Sequence, residues 1–141
     1  MTATPGRRVP VAEGIFTWPS ADPRLIGSRC STCDTTTFPK QRSCPCCAAF
    51  DVEEVVLPNE GTLWSWTVQT FRPKPPYQGP EPFVPYGVGY VELPGAVMVE
   101  ARLTEADPDR LHIGDAMRLV LLPFRTDSQG RDVVTFAFER M

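Results

Sequence analysis

Four of the five cysteines in this 141-residue chain form two pairs, Cys30-Ser-Thr-Cys33 and Cys44-Pro-Cys-Cys47, separated by ten residues. Two short turns that each offer two thiolates at this spacing close around one tetrahedral metal ion. The ligand set read from the spacing is Cys30, Cys33, Cys44 and Cys47, and the metal is zinc. Cys46 lies inside the second turn. Cys44 with Cys47 repeats the two-residue gap of the first pair, and a register that uses Cys46 stays open as the lesser alternative.

Other uses of these sulfurs are weaker on chemical grounds. All five cysteines fall between positions 30 and 47, so disulfides there would leave the rest of the chain uncrosslinked. A rubredoxin-type iron site would join its pairs through a longer segment, and a redox dithiol needs only one pair. Four sulfurs fill the tetrahedral shell of zinc and leave no position for water or substrate, so the metal is structural. Zinc with four thiolates carries about −2, which takes the chain from its formal −3 to about −5. Arg29, Lys40 and Arg42 flank the ligands and can offset that charge locally.

A chain of this length with 42% hydrophobic residues buries one ordinary core and a small satellite. No apolar run reaches membrane-spanning length, and the first thirty residues lack the apolar region of a secretory signal. Thiols kept reduced for a metal point to the cytoplasm. Sixteen prolines and ten glycines disfavour long helices, while Val, Thr, Trp, Tyr and Phe recur in short alternating runs, so the chain is mostly β.

Three regions follow: an extended arm over 1–24, a zinc ribbon over 25–50 and a β-barrel domain over 51–141. In the arm, Pro5, Pro10 and Pro19 prevent sustained helix, yet Val9, Val11, Ile15, Phe16 and Trp18 are too apolar for a solvated tail. They pack over the body of this chain or under another. From Asp51 a strand meander is expected: Asp51 to Leu57, then a turn at Pro58–Gly61, then Thr62 to Phe71, where Trp64, Trp66 and Val68 alternate with Leu63, Ser65 and Thr67. A hairpin follows, Tyr86 to Leu93 and Ala96 to Leu103, with Val97, Val99, Ala101 and Leu103 on one face. A turn or single helical turn at Glu105–Leu111 precedes strands at Met117–Phe124 and Val133–Glu139, the latter with Val134, Phe136 and Phe138 inward. Five or six short antiparallel strands suit a closed barrel of the OB type, with Gly87 and Gly89 allowing the coiling that closure demands. A sandwich is the competing architecture.

The segments LIGSRCSTCDTTTFPKQRSCPCC, GTLWSWTVQTF, PYGVGYVEL and LHIGDAMRL together resemble the domain-of-unknown-function family 35, from about Leu25 to the end. That resemblance implies a rubredoxin-like zinc ribbon followed by an OB-fold. Family members usually carry glycine after each cysteine turn, where this chain has Asp34 and Ala48; Asp tolerates a left-handed backbone and Ala does so less well. The resemblance further implies a non-catalytic accessory subunit that stabilises a thiolase-superfamily enzyme, of the lipid-transfer thiolase or steroid side-chain aldolase kind. Such a subunit helps form the acyl-CoA channel, and an α2β2 hetero-tetramer is the implied assembly.

The residues themselves agree that this chain is no thiolase, because every cysteine lies in the ribbon and the single histidine, His112, sits beside a turn. Ser65 has no neighbouring base and reads as a strand residue. The most suggestive segment runs from Arg72 to Tyr86 and contains Pro73, Pro75, Pro76, Pro80, Pro82 and Pro85. Prolines lower the entropy lost on ordering, so such a long loop suits binding. Arg72 and Lys74 are the candidate phosphate contacts, and Tyr77, Phe83 and Tyr86 the candidate contacts to the acyl or pantetheine portion; the plainer alternative is a loop that only braces the partner. A different class also fits a ribbon joined to an OB-fold: a single-stranded nucleic-acid binder, with Trp64, Trp66 and Phe71 as a stacking platform. The pI near 5.1 and the lack of a Lys/Arg cluster on any strand argue against it.

Overall fold

The computed structural model describes residues 7–77, 79, 82–95 and 97–141, so Pro5, Pro80 and Ala96 lie outside the described residues. Three strands form the ribbon's sheet: β2 (Ile26–Cys30), β3 (Thr36–Thr37) and β4 (Val52–Val56), in the order β3-β2-β4; β1 (Arg8–Pro10) belongs elsewhere. Gly27 lets β3 approach, since a Cβ there would stand 2.3 Å from the Thr37 carbonyl oxygen. The placement of β4 corrects the expected meander. Its register with β2, from Ile26↔Val56 to Cys30↔Val52, puts it in the ribbon rather than in the barrel. Its pairing satisfies the second edge of β2, whose Gly27, Ser28 and Cys30 are buried and need backbone partners.

The barrel is built from β5 (Glu60–Gln69), β6 (Tyr86–Glu92), β7 (Met98–Leu103), β8 (Ala116–Thr126) and β9 (Asp132–Arg140). Neighbours run β5-β6-β7-β9-β8, and pairing of β5 with β8 closes the ring. Closure removes the exposed edges that a sandwich of this size would leave. All contacts are antiparallel except β7 with β9, which meet in parallel at Leu103↔Phe138. Gly87 and Gly89 serve closure as expected, since a Cβ on Gly87 would lie 2.3 Å from the Glu105 carbonyl oxygen and one on Gly89 2.8 Å from that of Ser65. The connection from Glu105 to Leu111 is a turn, with the Arg110 amide donating to the Asp107 carbonyl.

From Arg7 onward the arm packs on this chain, with Val11 left exposed. Its strand β1 lies parallel to β9, and Phe16 bridges Leu25 and is only 3% exposed. Phe16, Leu25 and Leu57 share one core with Leu63, Val91, Leu103 and Phe138 of the barrel. Phe38, between the cysteine turns, meets Phe136 edge to face at 5.6 Å, so ribbon and barrel are packed as a unit. Val99, Ala101, Leu103, Val134 and Phe138 are buried as the alternation predicts, with Phe136 half-buried against Phe38.

Strict alternation fails in β5 and again in β8, between Pro123 and Arg125. A bulge between Leu63 and Ser65 inserts Trp64 as an extra residue against β6. Leu63 opposite Val91 and Trp66 opposite Gly89 therefore both face the core, while Trp64 stays 58% exposed. The two tryptophans do not form one stacking platform.

Candidate functional site: a four-cysteine centre and an arginine–aromatic cluster

The two cysteine turns repeat one backbone pattern. The Asp34 amide donates to the Cys30 carbonyl and the Ala48 amide to the Cys44 carbonyl, each at 2.9 Å. Closing these turns forces the last residue into the left-handed region, with φ of 67° at Asp34 and 64° at Ala48. The sequence departures from glycine therefore fall at the two positions where glycine is favoured. Asp34 additionally binds Arg29 through its carboxylate at 2.6 Å, whereas the methyl group of Ala48 brings no such bond.

The turns bring the Sγ atoms of Cys30, Cys33, Cys44 and Cys47 within 4.8 Å of one another. A tetrahedron of Zn–S bonds of about 2.3 Å has edges of about 3.8 Å. Here Cys30 and Cys47 are 3.7 Å apart and Cys33 and Cys44 3.5 Å. The donor set and its spacing thus fit a closed, structural zinc site. Cys46 lies outside the cage and contributes its amide, which donates to Cys44 Sγ at 3.3 Å alongside the Cys47 amide at 3.5 Å. The Cys47 amide above all, helped by that of Cys46 and opposed by burial, lowers the Cys44 thiol to about 6. For Cys47 the Ala49 amide pulls downward, yet the surrounding Cys33, Cys30 and Cys44 sulfurs together with burial push it up to about 12. Two of the three flanking bases are already paired, Arg29 with Asp34 and Lys40 with Glu54 at 2.8 Å.

The proline-rich loop ends in a second cluster. Tyr77 and Tyr86 stack with centroids 6.5 Å apart, Phe83 meets Tyr86 at 6.1 Å, and the Arg72 guanidinium carbon lies 6.0 Å from the Phe83 ring. Four of the five loop residues singled out in the sequence are thereby brought together. Lys74 is not; it stands exposed on the loop, where its carbonyl accepts the Tyr77 amide. Two residues that sequence reasoning missed complete the cluster. Arg102 of β7 lies 3.6 Å over Tyr86 and 5.2 Å from the ring of Phe124, and donates to the Tyr77 hydroxyl at 3.0 Å. Phe124 of β8 meets Tyr77 edge to face at 6.2 Å. Alternation does place Arg102 outward, but only the β6–β7 register, with Arg102 opposite Val88, sets it beside Tyr86. Burial, with Tyr77 close by, raises the Tyr86 phenol above its ordinary value.

His112 and Ser65 sit apart from both clusters. The His112 side chain is 64% exposed, its backbone amide donating to Asp115 at 2.9 Å, and Ser65 lies on β5 opposite Tyr90.

Two family models match consecutive parts of the chain. Residues 18–53 match the rubredoxin-like zinc ribbon domain of ChsH2, and residues 54–122 its C-terminal OB-fold domain. A DUF35 domain-containing scaffold protein of Pyrococcus furiosus is 30% identical over 102 residues, 72% of this chain and 71% of the relative. The chain belongs to the DUF35 family. Among other relatives, the benzoylsuccinyl-CoA thiolase subunit BbsA of Thauera aromatica is 29% identical to this DUF35 chain, covering 84% of it and 78% of BbsA. The solved structure of an Ltp2-ChsH2(DUF35) aldolase superposes with a TM-score of 0.61 at 28% identity, over 83% of this chain and 84% of that one. The resemblance read from the cysteine turns and strand motifs is confirmed, as are the zinc ribbon and the OB-fold barrel.

Proposed function

We propose that this DUF35 chain is a non-catalytic accessory subunit that binds and stabilises a thiolase-superfamily enzyme acting on acyl-CoA. The observation that carries this reading is its likeness, over more than four-fifths of its length, to a DUF35 chain described within an aldolase assembly and to a named thiolase subunit. The chemistry of the chain supports it. Its thiolates are gathered in a cage that zinc fills, and its histidine is a solvated turn residue. The arginine–aromatic cluster at the proline-rich loop offers rigid apolar area next to positive charge, which suits the mouth of an acyl-CoA channel shared with the partner. A lipid-transfer-type thiolase or steroid side-chain aldolase in an α2β2 assembly, in the reducing cytoplasm, is the specific form proposed.

The test is capture of the tagged full chain from its native cells, identification of the bound protein by mass, and the size of the eluted complex. A stoichiometric thiolase-superfamily partner is expected. A chain that elutes alone, or with nucleic acid whose release depends on salt, counts against the proposal.

A further inference from the structure

At one end of the barrel, between the proline-rich loop and the β8–β9 turn, lies an open cavity of about 650 Å³. Its lining is mostly polar and among the described residues includes Arg125 and Arg131 beside the carboxylate of Asp127, with Arg72, which has partners of its own, also in the lining. In a chain of net charge −3 this is a concentration of positive charge against the overall balance.

The turn is built to hold Arg131 in place. Asp127 Oδ1 accepts the backbone amides of Gln129 and Arg131, each at 2.9 Å, and Oδ2 accepts Arg131 Nε at 2.7 Å. The carboxylate is only 13% exposed, so it braces the turn rather than offering itself to solvent. Arg131 engages it through Nε, and the two terminal nitrogens of the guanidinium are not part of that bond. Arg125 arrives by a different device. A register shift in β8 between Pro123 and Arg125 carries it to the cavity, where it is half-buried. Its backbone pairs with Val133 in the ladder, and among the described residues its side chain forms no ion pair or hydrogen bond. With no partner among the described residues, the Arg125 side chain in the cavity lining is available to an anionic ligand. Two guanidiniums with the Thr126 and Ser128 side chains at the same wall form a site for a tetrahedral oxyanion, since the planar arginine fork matches phosphate oxygens. The cavity is far larger than one phosphate, and Tyr77 provides an aromatic edge.

We infer that this cavity binds the phosphorylated nucleotide end of the acyl-CoA, with Arg125 and Arg131 on the phosphate oxygens and Tyr77 flanking the nucleoside. The inference rests on the acyl-CoA reading above and moves the phosphate contact from the Arg72–Lys74 pair to the β8–β9 turn, Arg72 remaining in the lining. Thiol ester and phosphates would then run across the arginine–aromatic cluster, because Tyr77 belongs to both.

The experiment is titration of the zinc-loaded full chain with adenosine 3′,5′-bisphosphate, dephospho-CoA, pantetheine and inorganic phosphate, followed by nuclear magnetic resonance of the arginine Nε–H signals. Adenosine 3′,5′-bisphosphate is expected to shift Arg125 and Arg131, and pantetheine to leave them in place. Arg125→Gln is expected to weaken its binding about tenfold, the loss of one charge-assisted contact. Arg125 has no partner to lose, so this variant keeps its fold, checked by zinc content and signal dispersion; Arg131→Lys is the second variant. Binding unchanged in Arg125→Gln, no binding of the bisphosphate, or equal binding of inorganic phosphate overturns the inference. Each of those outcomes leaves the accessory-subunit reading standing, because capture of the catalytic partner tests it independently.

Discussion

Ala48 holds a left-handed backbone at φ 64° for no gain from its side chain, whereas Asp34 at φ 67° binds Arg29. Relieving that strain recovers about 1–2 kcal/mol, of which glycine's extra freedom in the unfolded chain takes back about 0.4–1 kcal/mol. Ala48→Gly is therefore expected to raise the stability of the zinc-loaded protein by up to about 1.5 kcal/mol in denaturant unfolding, while Asp34→Gly loses the Arg29 bond and gains less. The same cage separates ligand from bystander. Cys44→Ser should abolish stoichiometric zinc by elemental analysis, and Cys46→Ser should leave it at one per chain, since the Cys46 sulfur lies outside the cluster and its contribution is an amide that serine keeps. The four ligands were readable from spacing alone because a knuckle is a local structure, whereas the left-handed positions Asp34 and Ala48 were marked by the family resemblance, in which glycine usually stands there.

The elements around the loop were legible only in part. Arg72, Tyr77, Phe83 and Tyr86 drew notice because a proline-dense segment with rigid aromatics is unusual, but Arg102 and Phe124, which bind them, lie on other strands and become neighbours only through register. The β5 bulge was likewise invisible, since alternating tryptophans look the same whether or not an extra residue is inserted. Arg102→Ala is expected to cost about 2 kcal/mol of local stability, the sum of a cation–π sandwich and one hydrogen bond, and to hasten proteolysis between Arg72 and Pro85. Lysine should not restore it, because an ammonium lacks the planar face. In the β8–β9 turn, Asp127 is held below the usual carboxylate range, first by the Arg131 amide and also by its guanidinium, against the opposing effect of burial. A depressed folded value means stability that is present above the unfolded value of about 4 and lost as pH falls through the folded one. The Tm gap between the native chain and Asp127→Asn should be widest at neutral pH and close below about pH 4.

Across the molecule, the arm, ribbon and barrel share one core, in which Phe16 is buried and Ile15 and Trp18 pack against it. Besides Val11 of the arm, the exposed apolar side chains include Phe50 and Val56 of the ribbon, Trp64, Tyr90 and Met98 on the outer wall of β5–β7, and Phe71 and Val84 on the loop flanks. Removing zinc should therefore loosen the barrel as well as the ribbon, because Phe38 and Leu57 tie the two together. The order of ribbon and barrel was legible in the cysteine turns and strand motifs; the pairing of β4 was not, since it reads as any alternating strand and its partner β2 lies on the far side of the metal site. The central claim is that this chain assists catalysis performed by another. It is tested most directly by the initial rate of CoA-thioester turnover for the zinc-loaded chain alone, the captured partner alone and the two recombined. The account predicts no turnover by the chain alone and a faster or longer-lived rate for the recombined pair than for the partner. Turnover by the chain alone, or a partner indifferent to its presence, would contradict it.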